Sequence, residues 1–193
     1  EAVALYRAFV EDTVALCRSV RDAGRVSVRL WADDARDPEV RSWANALGTT
    51  PIEQPEGDLG VRMGAAFDRG LAEAERVVIV GSDAPTLPFS TIVAAFNGLA
   101  HTKLVLGPSN DGGYLAIGAM TEPPRFDGVR WSTEFAYQAT RAANASRELS
   151  ALPPWYDVDD EADLYTLRAH LSANPGAAPA TAAALRTLTS SYR

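Results

Sequence analysis

Apolar residues recur over the first 22 positions at Leu5, Phe9, Leu16 and Val20, with Val3, Tyr6, Val10 and Val14 widening the stripe. That spacing predicts a helix over residues 1–22 with much of its surface buried, ended by Gly24. Val26 to Trp31 alternates like a strand. Asp37-Pro38 opens a second helix through about Leu47, since proline is tolerated in a first turn. Gly57-Asp58-Leu59-Gly60 leads into a third, to about Leu71. Val77-Val78-Ile79-Val80 is a continuous β-branched run, the pattern of a strand buried on both faces. Then follow a helix over about Pro88 to Leu99, a strand at 103–106, a strand at 114–117 and a helix capped by Ser132 through about Ala145. A short strand near Leu149–Leu152 and a helix from about Asp160 come next. The tail, about 175–193, opens on a low-complexity Asn-Pro-Gly-Ala-Ala-Pro stretch and reads as a peripheral helix or a partly mobile end.

Strands alternating with helices at these spacings predict an α/β fold, a three-layer α/β/α sandwich with a mostly parallel central sheet. The 193 residues suffice for one well-buried core, and a single domain over 1–193 is expected. Ligands of such folds sit beyond the carboxyl ends of the strands. The loops of interest therefore follow residues 31, 80 and 106 and precede 160, and three of the four carry the aspartates considered next.

Gly81-Ser82-Asp83-Ala84-Pro85 comes directly after the β-branched run. Asp83 there either holds an Asx turn or helix cap, or presents a carboxylate at the sheet edge where a divalent cation bridges it to a diphosphate. Gly107-Pro108-Ser109-Asn110-Asp111-Gly112-Gly113 separates two strands. It is longer than the two-residue loop that hairpin chemistry favours, so a ligand-facing loop carrying Asp111 is the better reading. Tyr114 beside it either packs or meets a substrate. In Tyr156-Asp157-Val158-Asp159-Asp160-Glu161-Ala162-Asp163, acids in a first helical turn ordinarily cap the helix and complement its dipole. Asp157 and Asp159 point the same way if their segment is extended, and a second metal ligand can come from that pair.

Composition narrows the partners. The chain is 47% hydrophobic and 22% charged, carries a formal charge of −7 and has no basic cluster, which argues against nucleic acid and membranes as partners. Of its 18 basic residues only Lys103 is a lysine, so any phosphate grip must come from arginine or backbone N–H groups. A lone Cys17 in a helical pattern reads as a core thiol and fits a reducing, cytoplasmic setting. His101 and His170 are too isolated for a histidine zinc site. The sequence has no P-loop, no nucleophile elbow at Gly81-Ser82-Asp83, and the wrong glycine spacing in 57–64 for a dinucleotide fingerprint.

Five blocks in order carry a resemblance: Gln54…Gly57-Asp58-Leu59-Gly60-Val61-Arg62-Met63, Gly81-Ser82-Asp83-Ala84-Pro85-Thr86-Leu87, Gly107-Pro108…Asp111-Gly112-Gly113-Tyr114, Trp131-Ser132-Thr133 and Asp157-Val158-Asp159. From Tyr6 to about Leu167 the chain resembles the bacterial glycosyltransferase-like DUF2064 family, within the GT-A nucleotide-diphospho-sugar transferase superfamily. The resemblance implies a GT-A fold, a nucleotide-sugar or nucleoside-triphosphate donor, a small-molecule acceptor and a Mg²⁺ or Mn²⁺ ion. By position, Asp83 and Asp159 resemble the superfamily's metal ligands. Gly57, Asp58, Gly60 and Arg62 resemble the segment against the nucleoside, and Asp111, Gly112, Gly113, Tyr114 and Trp131 are expected to face acceptor or donor sugar, with Asp111 as the candidate base or orienting group.

Members of that family usually begin with a strand and a Lys-Thr-Arg-Leu loop expected to hold the nucleotide phosphates. This sequence starts at the helix that follows. The absent strand would lie between strands 26–31 and 77–80 and leave two apolar edges open, so roughly 30 further residues before Glu1 are expected in the natural protein. The resulting expectation is a metal-dependent transferase, most simply a glycosyltransferase. Nucleotidylyl transfer with pyrophosphate release, or a non-catalytic domain that binds a nucleotide or a partner, are the alternatives. The tail helix is expected to pack on its own domain or on a second subunit of a homo-oligomer.

Overall fold

The computed structural model describes residues 2–23 and 26–190; Gly24, expected to end the first helix, and residues 191–193 of the expected tail lie outside the described residues. The elements are α1 (Ala2–Ala23), β1 (Arg29–Ala32), α2 (Pro38–Ala46), β2 (Thr50–Glu53), α3 (Leu59–Glu73), β3 (Arg76–Val80), α4 (Phe89–Gly98), β4 (Leu104–Pro108), β5 (Tyr114–Met120), α5 (Ala136–Ala143), β6 (Leu149–Ala151), α6 (Glu161–Ala173) and α7 (Pro179–Ser190). Aspartates open three of the helices. Asp37 accepts from the N–H groups of Glu39 and Val40, Asp58 accepts from Val61, and Asp160 forms a capping box with Asp163.

The main sheet has strand order β3-β5-β4-β6, and β1 pairs with β2 in a separate parallel ladder. β3, β4 and β6 run in one direction, as expected, while β5 runs against both neighbours. Only five residues separate β4 from β5, and a parallel return needs a crossover of a dozen or more. Those five residues therefore reverse the chain into an antiparallel neighbour. Opposite Gly107 stands Ala116, but opposite Pro108 stands Tyr114, so Leu115 is the extra residue of a bulge. The bulge turns the Tyr114 ring to the same face as Ile117 and Ala119, while Leu115 joins the opposite cluster.

Helices cover both faces. Met63 and Phe67 of α3 pack with Leu104, Leu106, Ile117 and Ala119 on one side, with Tyr137 of α5 against them. Val20 of α1 and Ile92 of α4 pack with Leu115 and Val80 on the other. Cys17 joins this second cluster, and burial pushes its thiol up to about 11, which suits the core reading of the residue. A further cluster unites Phe9 of α1 with Leu167 and Leu171 of α6 and Ala182 and Leu185 of α7.

Several expectations are corrected. The β-branched run 77–80 is not the enclosed strand: its side chains are half-buried, because β3 is an edge and no ladder joins it to β1 among the described residues. Leu104, Val105 and Leu106 of β4, flanked by β5 and β6, are the enclosed ones. The pattern does not show strand β2 because Pro51 interrupts it; as β1 is its only strand partner among the described residues, Pro51 occupies an edge, where proline is tolerated. β1 begins at Arg29 rather than Val26. Ser132 does not cap α5: it sits at φ 57 in the preceding turn, and the helix begins at Ala136. Val3 and Tyr6 of α1 are exposed. The tail is a docked helix, with Asp12 of α1 accepting hydrogen bonds from the N–H groups of Ala180 and Thr181.

Candidate functional site

The connection from β3 into α4 carries Asp83. Gly81 anchors it by donating to the carbonyl of Leu115 at 2.9 Å, and the loop closes with Leu87 N–H on the carbonyl of Ala84. The segment between β6 and α6 runs extended beside it. Its Trp155 N–H donates to Pro108, Asn110 N–H donates to Trp155, and Val158 N–H donates to the carbonyl of Asp83 at 3.0 Å. The β4–β5 loop completes the arrangement. Ser109 Oγ donates to Asp157 Oδ1 at 2.8 Å, and Gly113 N–H donates to Asp111 Oδ1 at 2.8 Å. Three loops, far apart in sequence, thus converge at one edge of the main sheet.

Their carboxylates converge with them. Asp111, Asp157 and Asp159 each offer an oxygen such that all three lie within 4.8 Å of one another. Asp83 is close enough to sense all of them. Burial is the main cause that raises its carboxyl above the ordinary aspartate range, and repulsion from Asp157, Asp159 and Asp111 adds to it. Asp157 and Asp159 are raised too, by desolvation first; Asp111 repels both, and the Ser109 hydroxyl partly offsets the rise at Asp157. Asp83 Oδ1 is a buried oxygen with no hydrogen-bond partner. It lies over Gly81, where a Cβ would come within 2.6 Å of it.

Among the described residues, no cationic side chain pairs with these groups. The ion pairs among the described residues are Arg7–Glu39, Arg29–Glu73, Arg62–Asp33, Arg69–Glu73 and Arg147–Glu122, and none involves the four aspartates. Clustered carboxylates need a counter-charge or a shared proton. Hard oxygen donors with an orphaned oxygen among them suit a divalent ion such as Mg²⁺ or Mn²⁺. The residues fit the ion that the sequence leads one to expect: of its two expected ligands, Asp159 belongs to the trio with Asp111 and Asp157, while Asp83 lies outside that trio and feels its charges. The neighbouring acids are otherwise engaged. Asp160 and Asp163 cap α6, and Asp163 Oδ2 accepts from the N–H groups of Asp159 and Asp160.

The remaining expected site residues form a second group. Asp58 is the cap of α3. Arg62 donates to the carbonyl of Gly57, to Asp33 Oδ1 at 2.8 Å and to Gln54 Oε1 at 3.0 Å. Its guanidinium thereby ties together the segments that follow β1 and β2. Gly60 lets Trp131 approach the helix, since a Cβ there would stand 3.0 Å from the indole. Trp131 meets Tyr114 and Phe126 edge-on, at ring separations of 6.4 and 5.6 Å, and so links the two groups. Tyr114 itself is taken up by packing: burial pushes its phenol up to about 12, and its hydroxyl accepts from Thr140. Gly112, at φ 93, holds the β4–β5 loop against the carbonyl of Glu134, which a Cβ would approach to 2.1 Å.

Sequence reasoning missed Ser109 as the partner of Asp157. It also missed Thr86, Tyr156 and His170, whose hydroxyls and ring nitrogen join in one chain beside the carboxylates. Thr86 stands in a block quoted above; no local pattern flags its partner 70 positions away.

The sequence profile of a family described as "Uncharacterized protein conserved in bacteria (DUF2064)" matches residues 15–133, a stretch that includes Asp83 and Asp111 and ends before Asp157. No curated protein matches. Among solved structures, a "putative nucleotide-diphospho-sugar transferase" from Desulfovibrio desulfuricans G20 is 32% identical, with a TM-score of 0.79 over 96% of this chain and 82% of that one. A CMP:2-keto-3-deoxy-manno-octonic acid synthetase solved with CTP shares the fold at 14% identity, with a TM-score of 0.60 over 85% of this chain and 87% of that one. With an α/β sandwich of nucleotide-diphospho-sugar transferase type and a family match over well over half its length, this chain belongs to the bacterial DUF2064 family.

Proposed function

We propose that this protein is a metal-dependent transferase that uses a nucleotide-activated donor, and that it passes a glycosyl group to a small-molecule acceptor. The observation that carries the reading is the gathering of Asp111, Asp157 and Asp159 with Asp83 in charge range of them, paired with no cationic side chain among the described residues, and with Asp83 Oδ1 buried and without a hydrogen-bond partner. The likeness to the Desulfovibrio protein supports a nucleotide sugar as donor.

Asp83 and Asp159 are the ligands we assign to Mg²⁺ or Mn²⁺, with Asp157, oriented by Ser109, beside them. When bound, the ion supplies neutralising charge for the diphosphate of the donor. The chain's own contribution is positioning and electrostatics. To Asp111, exposed and held by the Gly113 N–H, we assign acceptance of a proton from an acceptor hydroxyl or its orientation. The Gly57–Arg62 segment, with Asp33 and Gln54 gathered by Arg62, is the assigned nucleoside side of the cleft.

Thermal unfolding tests the reading. Nucleotide sugars and nucleoside triphosphates are added one at a time, each with Mn²⁺ and with chelator, to the wild type and to Asp83→Ala. Ligands that bind the native state raise its midpoint by mass action. The expected result is a Mn²⁺-dependent rise with one nucleotide sugar that is absent in the variant. A rise confined to triphosphates would instead assign nucleotidylyl transfer, and indifference to both metal and nucleotide would sink the enzyme reading.

A further inference from the structure

Beside the carboxylate cluster lies a polar chain that the proposed chemistry does not use. Trp155 Nε1 donates to Thr86 Oγ1 at 3.2 Å, Thr86 Oγ1 donates to the Tyr156 hydroxyl at 2.9 Å, and the Tyr156 hydroxyl meets His170 Nδ1 at 2.8 Å. An indole N–H can only donate. Thr86 gives its proton to Tyr156, and the Tyr156 hydroxyl and His170 Nδ1 share the last link. The rings stack around this chain: Trp155 lies on Tyr156 at 5.7 Å with an interplanar angle of 26°, and His170 sits 5.9 Å from each. Thr86 is 3% exposed, so its hydroxyl depends on these partners.

The placement of the chain gives it a task. Thr86 is three residues past Asp83 on the β3–α4 loop, and Tyr156 immediately precedes Asp157. His170 is on α6, which opens just after Asp159. The Asp157–Asp159 segment is therefore held before, behind and, through Val158 N–H on Asp83, in its middle. Across that junction the like charges of Asp83, Asp157 and Asp159 push the two loops apart.

We propose that Tyr156 and Thr86 are positioning residues that hold the Asp83 loop against the Asp157–Asp159 loop, so that the carboxylates stand ready for a divalent cation. The inference rests on the metal reading above. Groups that orient metal ligands typically govern affinity by about 10–100-fold when removed.

The experiment measures the dissociation constant of Mn²⁺ alone by electron paramagnetic resonance for the wild type, Tyr156→Phe, Thr86→Val and Thr86→Ser, with the chelated proteins' melting temperatures alongside. Tyr156→Phe keeps the ring stack and Thr86→Ser keeps the hydroxyl. Asp12→Asn, which weakens the α1–α7 contact but shares no hydrogen bond with Trp155, Thr86, Tyr156 or His170, serves as a variant destabilised outside the polar chain. The expected result is Mn²⁺ affinity about tenfold weaker in Tyr156→Phe and Thr86→Val, close to wild type in Thr86→Ser and unchanged in Asp12→Asn. Wild-type affinity in both Tyr156→Phe and Thr86→Val would overturn the positioning role and leave the metal site standing. Equal weakening in Asp12→Asn, or in Thr86→Ser, would reduce the effect to general loosening or packing and overturn it as well. A wild type that binds no Mn²⁺ would overturn the metal reading itself, and this inference with it.

Discussion

The main-chain N–H of Val158 donates to the carbonyl oxygen of Asp83 at 3.0 Å, so the two carboxylate loops are joined at the point where their side chains repel. That junction makes Asp83 costly to the metal-free protein: a buried carboxylate oxygen without a partner, facing three like charges. Asp83→Asn removes the charge while nearly keeping the shape. Metal-free Asp83→Asn is expected to be more stable than the wild type at pH 7 by about 0.5–2 kcal/mol, the range that single stabilising substitutions commonly reach. For a chain of this size that is a rise of about 1–8 °C in melting temperature. The same variant is expected to lose the stabilisation by Mn²⁺. Melting curves with chelator and with Mn²⁺ check both halves.

The pH dependence has a definite sign. Asp83 is raised in the folded protein, chiefly by burial. A raised carboxyl holds its proton more tightly in the folded than in the unfolded state, so its favourable contribution is complete below the ordinary aspartate range. That contribution is lost as pH rises through the raised folded value. Asp157 and Asp159 shift the same way but are more open to solvent, and their share is smaller. The stability gap between chelated Asp83→Asn and chelated wild type is thus expected to widen from acid to neutral pH. Urea midpoints across pH 4–8 measure it; a constant gap would contradict the charge argument.

Much of this is legible in the sequence, and the exceptions have physical causes. The acids at 157–163 divide by residue: Asp160 and Asp163 cap α6, while Asp157 and Asp159 gather with Asp111. Capping needs only the local sequence, and so does the alternation that places Asp157 and Asp159 on one side. Burial of β3 was overestimated because a β-branched run reports what a strand suits, whereas its enclosure depends on which neighbours pair with it. The Leu115 bulge, which packs Tyr114 against the cluster of Ile117 and Ala119, depends on register against β4. The contacts of Thr86 with Tyr156 and of Ser109 with Asp157 join residues 70 and 48 apart, which no periodicity encodes.

Gly112 and Gly113 separate backbone demand from side-chain aim within one loop. At Gly112 a methyl group would meet the Glu134 carbonyl at 2.1 Å on a backbone already at φ 93, so Gly112→Ala must displace main chain. It is expected to cost about 1–3 kcal/mol of stability and to abolish turnover. At Gly113, where φ is not positive, the nearest atom is Asp111 Oδ1 at 3.1 Å, a side chain free to give. Gly113→Ala is expected to stay within about 1 kcal/mol of the wild type in urea unfolding, as surface substitutions away from special backbone do. Its transferase kcat is expected to fall through the re-aimed Asp111. A Gly113→Ala enzyme with wild-type turnover would remove Asp111 from the reacting geometry.

Asp12 offers a test of the tail that is independent of catalysis. Its carboxylate, 7% exposed on α1, accepts from Ala180 N–H at 3.1 Å and Thr181 N–H at 2.8 Å, and so caps α7 from 168 and 169 residues away. Helix starts favour a negative acceptor, and removing a cap costs about 0.5–2 kcal/mol. Asp12→Ala is expected at the upper end, since the two N–H groups would be left in a partly buried place without an acceptor. Asp12→Asn retains one acceptor oxygen and should lose less. Hydrogen exchange locates the effect: amides of 180–188 are expected to exchange faster in Asp12→Ala, while those of β4, enclosed between β5 and β6, keep the protection that global unfolding allows. Unchanged exchange in α7 would mean that Phe9, Ala182 and Leu185 hold the helix by packing alone.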